Sequence, residues 1–136
     1  MVRVLYFRLL LTVLVSTVLC LAVFSPATAS PPDEPDTHRI TITFTSDRQL
    51  NGAAVWFDAD GRLRTQTDVP LAHQDGPTKL WSATLVYTRP SPREPLDALF
   101  QSSGTFSRCE IRVDSVLVAD DMVRGPHPTS RCRPRN

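Results

Sequence analysis

The chain has 136 residues, with 15 lysines and arginines against 14 aspartates and glutamates, for a formal net charge of +1. That length leaves room for one domain beside a leader. The near balance of charge argues against nucleic acid as a partner, which demands a concentrated basic face. Three cysteines and three histidines give little raw material for a metal centre.

The chain opens with Arg3 and Arg8 ahead of an apolar run over residues 9–24, closed by Pro26 and by Ala27-Thr28-Ala29. This is the plan of a secretory signal peptide over residues 1–29, cut after Ala29. The alternative is an uncleaved membrane anchor helix, because the apolar run approaches the roughly 20 residues that span a bilayer. Cys20 lies in the apolar run, and Leu19 before it is bulky where a lipidation site wants a small residue. Residues 30–37 are rich in proline and acid with nothing apolar to bury, so they read as a flexible linker.

A domain is expected over residues 38–132. Ile40, Ile42 and Phe44 alternate with Thr41, Thr43 and Thr45, the period of a half-buried strand. A second strand covers residues 53–57, with Val55 and Phe57 expected inward and Trp56 on the opposite face. Asp58-Ala59-Asp60-Gly61 reads as a hairpin turn. Residues 62–67 return as a polar edge strand with Leu63 as its core anchor. Residues 68–79 hold Pro70, Gly76 and Pro77 and read as a loop. Residues 80–87 form a strand with Trp81, Ala83, Leu85 and Tyr87 on one face, and residues 88–95 form a proline-rich loop. Residues 96–101 are ambiguous between strand and helical turn, with a strand favoured by the alternation around them.

The last unit runs from Cys109 to Cys132. Two strand-like runs, residues 109–113 and 116–119, flank Asp114-Ser115, and a returning strand leads to the second cysteine. An exported chain meets oxidising conditions, and the exported part holds only these two thiols, so Cys109 and Cys132 should form one disulfide. Closing that loop is worth roughly 3 kcal/mol in the chain-entropy model. Asp120-Asp121 reads as a pair of solvated turn residues. Arg131, Arg133 and Arg135 form a basic end, of which residues 133–136 are a frayed tail or a contact for anionic lipid. About seven short strands and no helical period beyond the leader define an all-β chain, a small antiparallel β-sandwich of the immunoglobulin-like kind. A closed barrel is the alternative.

No enzyme chemistry assembles from these residues. His38, His73 and His127 show no ligand spacing, so no metal or cofactor is expected and all three read as surface histidines. Asp58-x-Asp60-Gly61 is similar to the start of a calcium loop but lacks the downstream glutamate. There is no G-x-S-x-G elbow, and the paired cysteines are spent as nucleophiles. Trp56, Trp81, Tyr87 and Phe106 either line an apolar binding surface or pack in the core.

The order V-x-F-D-A-D-G, then W-S, then C-x-I-x-V-D and a second cysteine resembles the mycobacterial membrane protein small family, MmpS. The matching residues are Val55, Phe57, Asp58, Trp81, Ser82, Cys109, Ile111, Val113, Asp114 and Cys132. The resemblance implies an extracytoplasmic β-sandwich behind a membrane segment and linker. It also implies a non-catalytic accessory of an MmpL transporter, a proton-driven exporter of the RND class that moves lipid or siderophore-like cargo. The chain departs from the pattern at Ser115, where glycine is usual, at Leu80, where proline is common, in the loop of residues 89–95, and in its cleavable-looking leader.

Overall fold

The computed structural model describes residues 36–91 and 95–135. The expected leader, and most of the linker behind it, lie outside the described residues. Among the described residues there are nine strands: β1 (His38–Ser46), β2 (Leu50–Phe57), β3 (Leu63–Pro70), β4 (His73–Gln74), β5 (Trp81–Arg89), β6 (Ala98–Gln101), β7 (Phe106–Val113), β8 (Val116–Arg124) and β9 (Thr129–Cys132). They form a five-stranded sheet in the order β4-β5-β1-β7-β8 and a four-stranded sheet in the order β3-β2-β6-β9. All pairings are antiparallel. The molecule is the expected all-β sandwich, with nine strands in place of about seven.

The core between the sheets follows from period-two burial. Ile40, Ile42 and Phe44 of β1 and Cys109 and Ile111 of β7 meet Ala54 of β2 and Ala98 and Phe100 of β6, all buried. Phe44 and Phe100 stack across the sheets with ring centroids 5.0 Å apart. Trp81, Ala83, Leu85 and Tyr87 pack against this core from β5, on the face that alternation predicted.

The Cys109–Cys132 disulfide is present, with Cα atoms 5.9 Å apart and both residues buried. It does more than close a hairpin unit. Cys109 belongs to the five-stranded sheet and Cys132 to the four-stranded one, because β9 leaves its predecessor and pairs with β6. The bond therefore joins the two layers.

Several expectations require correction. In β2 the phase is reversed: Ala54 is buried and Trp56 packs on the core, while Val55 and Phe57 face outward. The buried positions of this strand change from Asn51 to Ala54 across Gly52, opposite Asp68, whose φ is +51°. Periodicity is interrupted there, so side-chain size in the following residues does not fix which face is inward. Leu63 is not a core anchor but is 59% exposed, paired with Phe57. Residues 68–79 are not all loop, since β3 runs to Pro70 and β4 adds a two-residue pair against β5. Asp120 and Asp121 are strand residues, because β8 continues to Arg124.

Turns hold the frame by local chemistry. Asp58 Oδ1 accepts hydrogen bonds from the backbone of Asp60 and Arg62, and Gly61 takes φ +70°, which closes the β2–β3 hairpin as its residues foretold. At the β7–β8 tip, Asp114 and Ser115 have φ of +48° and +71°. Positive φ at both central residues is the type I′ turn, which normally recruits Asn-Gly or Asp-Gly. The chain thus keeps the tight turn that a glycine would make easy and places a serine in it. Asp114 also fastens this tip to the start of β1: its Oδ1 accepts from Arg39 N at 2.8 Å, and its Oδ2 lies 2.7 Å from His38 Nδ1. His38 is therefore not a merely solvated histidine.

Arg89 at the end of β5 is only 1% exposed. Its Nε and Nη2 donate to the carbonyl of Asp58 and its Nη1 to that of Pro95, while the guanidinium lies 5.5 Å from the Tyr87 ring centroid. It clamps the β2–β3 turn and the segment entering β6 onto β5.

Candidate binding surface

The outward face of the four-stranded sheet is set by strand register. One row across it reads Thr65, Val55, Leu99, Arg131, running from β3 to β9. In the next row Leu63 pairs with Phe57, and Asp97 and Arg133 lie just outside β6 and β9. The row on the other side, Thr67, Ala53, Gln101, Thr129, is mostly polar. The face therefore carries an apolar strip of Leu63, Phe57, Val55 and Leu99 across β3, β2 and β6, with Thr65 beside it on the β3 edge, and turns cationic toward the β9 edge. These residues enclose an open groove of about 420 Å³, lined by Val55, Phe57, Leu63, Ala98 and Leu99 with Asp97, Arg131 and Arg133.

Arginines of the β9 end stand between this groove and a second one. The second, about 520 Å³, is lined by Val118, Ala119, Asp120 and Asp121 of β8 and by Arg131, Arg133 and Arg135. It runs along the seam where the edges of the two sheets meet. Asp121 Oδ2 accepts from the Arg131 backbone N–H at 2.7 Å, and Asp120 is held by both Nε and Nη2 of Arg108. Both carboxylates of this groove are thus already engaged.

Asp97 organises the cationic end. Its Oδ2 accepts from Arg131 Nη2 at 3.1 Å and from Arg133 Nε and Nη2 at 3.2 and 2.7 Å. Burial pulls its carboxyl upward, but the two guanidiniums outweigh this and hold it below the ordinary aspartate range. The Arg108 guanidinium lowers Asp120 in the same way, against a smaller opposing effect of burial. Two guanidiniums share one carboxylate, so the rim keeps a net positive charge and unused N–H donors. Their side chains are 57% and 65% exposed, which leaves those donors facing solvent.

The aromatic residues singled out from sequence lie elsewhere. Trp56, Trp81 and Tyr87 are half-buried against the core, and Phe106 is buried under Arg124, whose guanidinium carbon is 4.8 Å from the ring centroid. The Tyr87 hydroxyl donates to the carbonyl of Phe57 at 2.6 Å, and burial raises its pKa. None of the four lines either groove. Sequence reasoning missed the groove residues Val55, Phe57, Leu63 and Leu99, because it assigned the first three to the core and singled out none of them for binding. It did notice Arg131, Arg133 and Arg135. The structure places Arg131 within β9 and ties Arg133 to Asp97, so this end is less frayed than expected. Among the described residues, no group of three or more His, Cys, Asp or Glu is placed to hold a metal ion.

Fold and surface together define a class: a disulfide-joined antiparallel β-sandwich bearing an amphipathic outer face. No protein-family model matches the sequence, and no curated protein shows significant similarity to it.

Proposed function

We propose that this chain is a non-catalytic exported accessory protein of the MmpS kind, assisting an MmpL transporter of the RND class in moving lipid or siderophore-like cargo across the cell envelope. The observation that carries the reading is the role of the residues behind the resemblance. Cys109 and Cys132 join the sheets, Trp81, Ile111 and Val113 contribute to or pack on the core, Asp58 closes the β2–β3 turn, and Asp114 fastens the β7–β8 tip to β1. Most of the motif's members brace one frame, while Val55 and Phe57 lie on the outer face, and residues so placed resist chance better than the same letters scattered over loops. A buried disulfide between the layers suits an oxidising compartment, as export requires. With both sulfurs committed to that bond, neither is a nucleophile.

Affinity capture of the tagged native protein from envelope membranes tests the proposal. Co-purification of a multi-span RND-class transporter is the expected result, and its absence under conditions that preserve such complexes counts against the reading. The Ala27-Thr28-Ala29 site favours a second reading, a freely secreted binding module with no transporter partner. A mature N-terminus at Ser30 in the culture medium would select it.

A further inference from the structure

We propose that the groove on the outer face of the four-stranded sheet binds a single-chain anionic amphiphile. Its alkyl tail lies across Leu63, Phe57, Val55 and Leu99, and its phosphate or carboxylate head meets Arg131 and Arg133. The inference concerns a ligand site and holds with or without a transporter partner.

Three observations converge on that ligand. First, apolar side chains rarely gather on the solvent face of a sheet without cause. Here the outward positions of three neighbouring strands, β3, β2 and β6, carry Leu63, Phe57, Val55 and Leu99 in adjoining rows. Polar Thr67, Gln101 and Thr129 bound the strip in the next row. Second, the strip ends at cations. Leu99 pairs directly with Arg131, so the passage from apolar to charged takes one strand spacing, about 4.8 Å. Third, Asp97 holds Arg131 and Arg133 in place without neutralising both, which leaves an oriented pair of guanidinium forks suited to an oxyanion. The groove volume of about 420 Å³ falls within the range of roughly 300–1,000 Å³ usual for small-molecule sites. A nonionic chain would leave the guanidinium donors that Asp97 does not take facing water. A free anion would leave the apolar strip uncovered. An anionic amphiphile satisfies both ends.

Photocrosslinking tests the site on the full exported chain, using dodecyl phosphate with a diazirine at its tail, dispersed below its micelle concentration. The expected labels fall on peptides containing Val55, Phe57, Leu63 or Leu99. Unlabelled dodecyl phosphate should compete saturably, whereas dodecyl maltoside and inorganic phosphate should each compete at least about tenfold more weakly. The double variant Arg131→Gln/Arg133→Gln should weaken competition by about tenfold or more. Leu99→Asn should also weaken it. Near-ultraviolet circular dichroism from Trp56 and Trp81 reports whether each variant keeps its core. Should a variant unfold, the headgroup comparison on the wild-type protein still decides the matter. Equal competition by dodecyl maltoside, labelling scattered away from the four residues, or association only with anionic vesicles and not with dispersed dodecyl phosphate would each overturn the proposal. Because no transporter enters this experiment, its failure is distinguishable from failure of the affinity capture.

Discussion

Replacing Cys109 and Cys132 together by alanine probes the bond that joins the layers. The sequence separation of 23 residues sets the magnitude. In the chain-entropy model, a loop of that size should stabilise the fold by roughly 3 kcal/mol through the unfolded state alone. The native state adds a smaller contribution. Both sulfurs are fully buried beside Ile111 and the β6 residues, so alanine leaves unfilled space costing on the order of 1 kcal/mol more. For a domain near 100 residues, a loss of that size lowers the melting temperature by on the order of 15–25 °C. Urea unfolding followed by tryptophan fluorescence measures the free energy, and thermal melts with and without reductant measure the shift. Reduction of the wild-type protein should be slow while it is folded, since neither sulfur reaches solvent. A loss below about 1 kcal/mol, with both thiols shown free by titration in the reduced wild type, would refute the assignment of the disulfide as a main source of stability.

Other perturbations read separate parts of the frame. Arg89→Met strips the donors from the Asp58 and Pro95 carbonyls and should destabilise by about 2 kcal/mol in urea unfolding. Gly104→Ala places a Cβ 2.1 Å from Asp47 Oδ1, the acceptor for the Thr105 and Phe106 N–H groups, and should cost about 1–3 kcal/mol in the same assay. Ser115→Gly relieves a left-handed serine, and the gain should exceed the added freedom of the unfolded chain, for a net stabilisation of up to about 1 kcal/mol. Asp47, Asp97 and Asp120 all have carboxyls held below their ordinary value. A depressed folded value contributes stability above the unfolded pKa, so stability should be flat near neutrality. It should then fall as pH drops through about 4 toward the folded values. Melting temperatures across that window check the sign, and a rise on acidification would contradict it.

The fold was largely legible because its main signals are local. Ile40, Ile42 and Phe44 announce a strand by alternation, and all three are buried on one face. Asp58 to Gly61 announces a turn by its own hydrogen bonds, and the cysteine pair follows from compartment and number. What was not legible depends on partners remote in sequence. That Cys109 and Cys132 lie in different sheets follows from β9 pairing with β6, a choice that no residue of the 109–132 unit declares. Asp120 and Asp121 look like turn residues because two adjacent carboxylates normally seek water. Arg108 and the Arg131 backbone satisfy them within a strand instead.

The groove stayed hidden for a related reason. In a sandwich, an apolar residue on a strand is assigned to the core by default, and Val55, Phe57 and Leu63 satisfy that default as letters. Only the pairing of Trp56 with Ala98, both on the core side, forces their neighbours outward. The break in pairing at Gly52 and Asp68 shifts the phase of β2, so that Ala54 and Trp56 fall on the core side and Val55 and Phe57 on the other. The cost is a strip of exposed hydrocarbon on β2 and β3. The β9 arginines stand at the far end of that strip, held by a carboxylate that precedes β6. The phase shift at Gly52 thus sets the apolar half of the surface, and the placement of Asp97 orients the charged half. The two halves arise from different packing constraints and coincide on one face, so sequence reasoning that treats each strand alone finds neither their juxtaposition nor the ligand it suits.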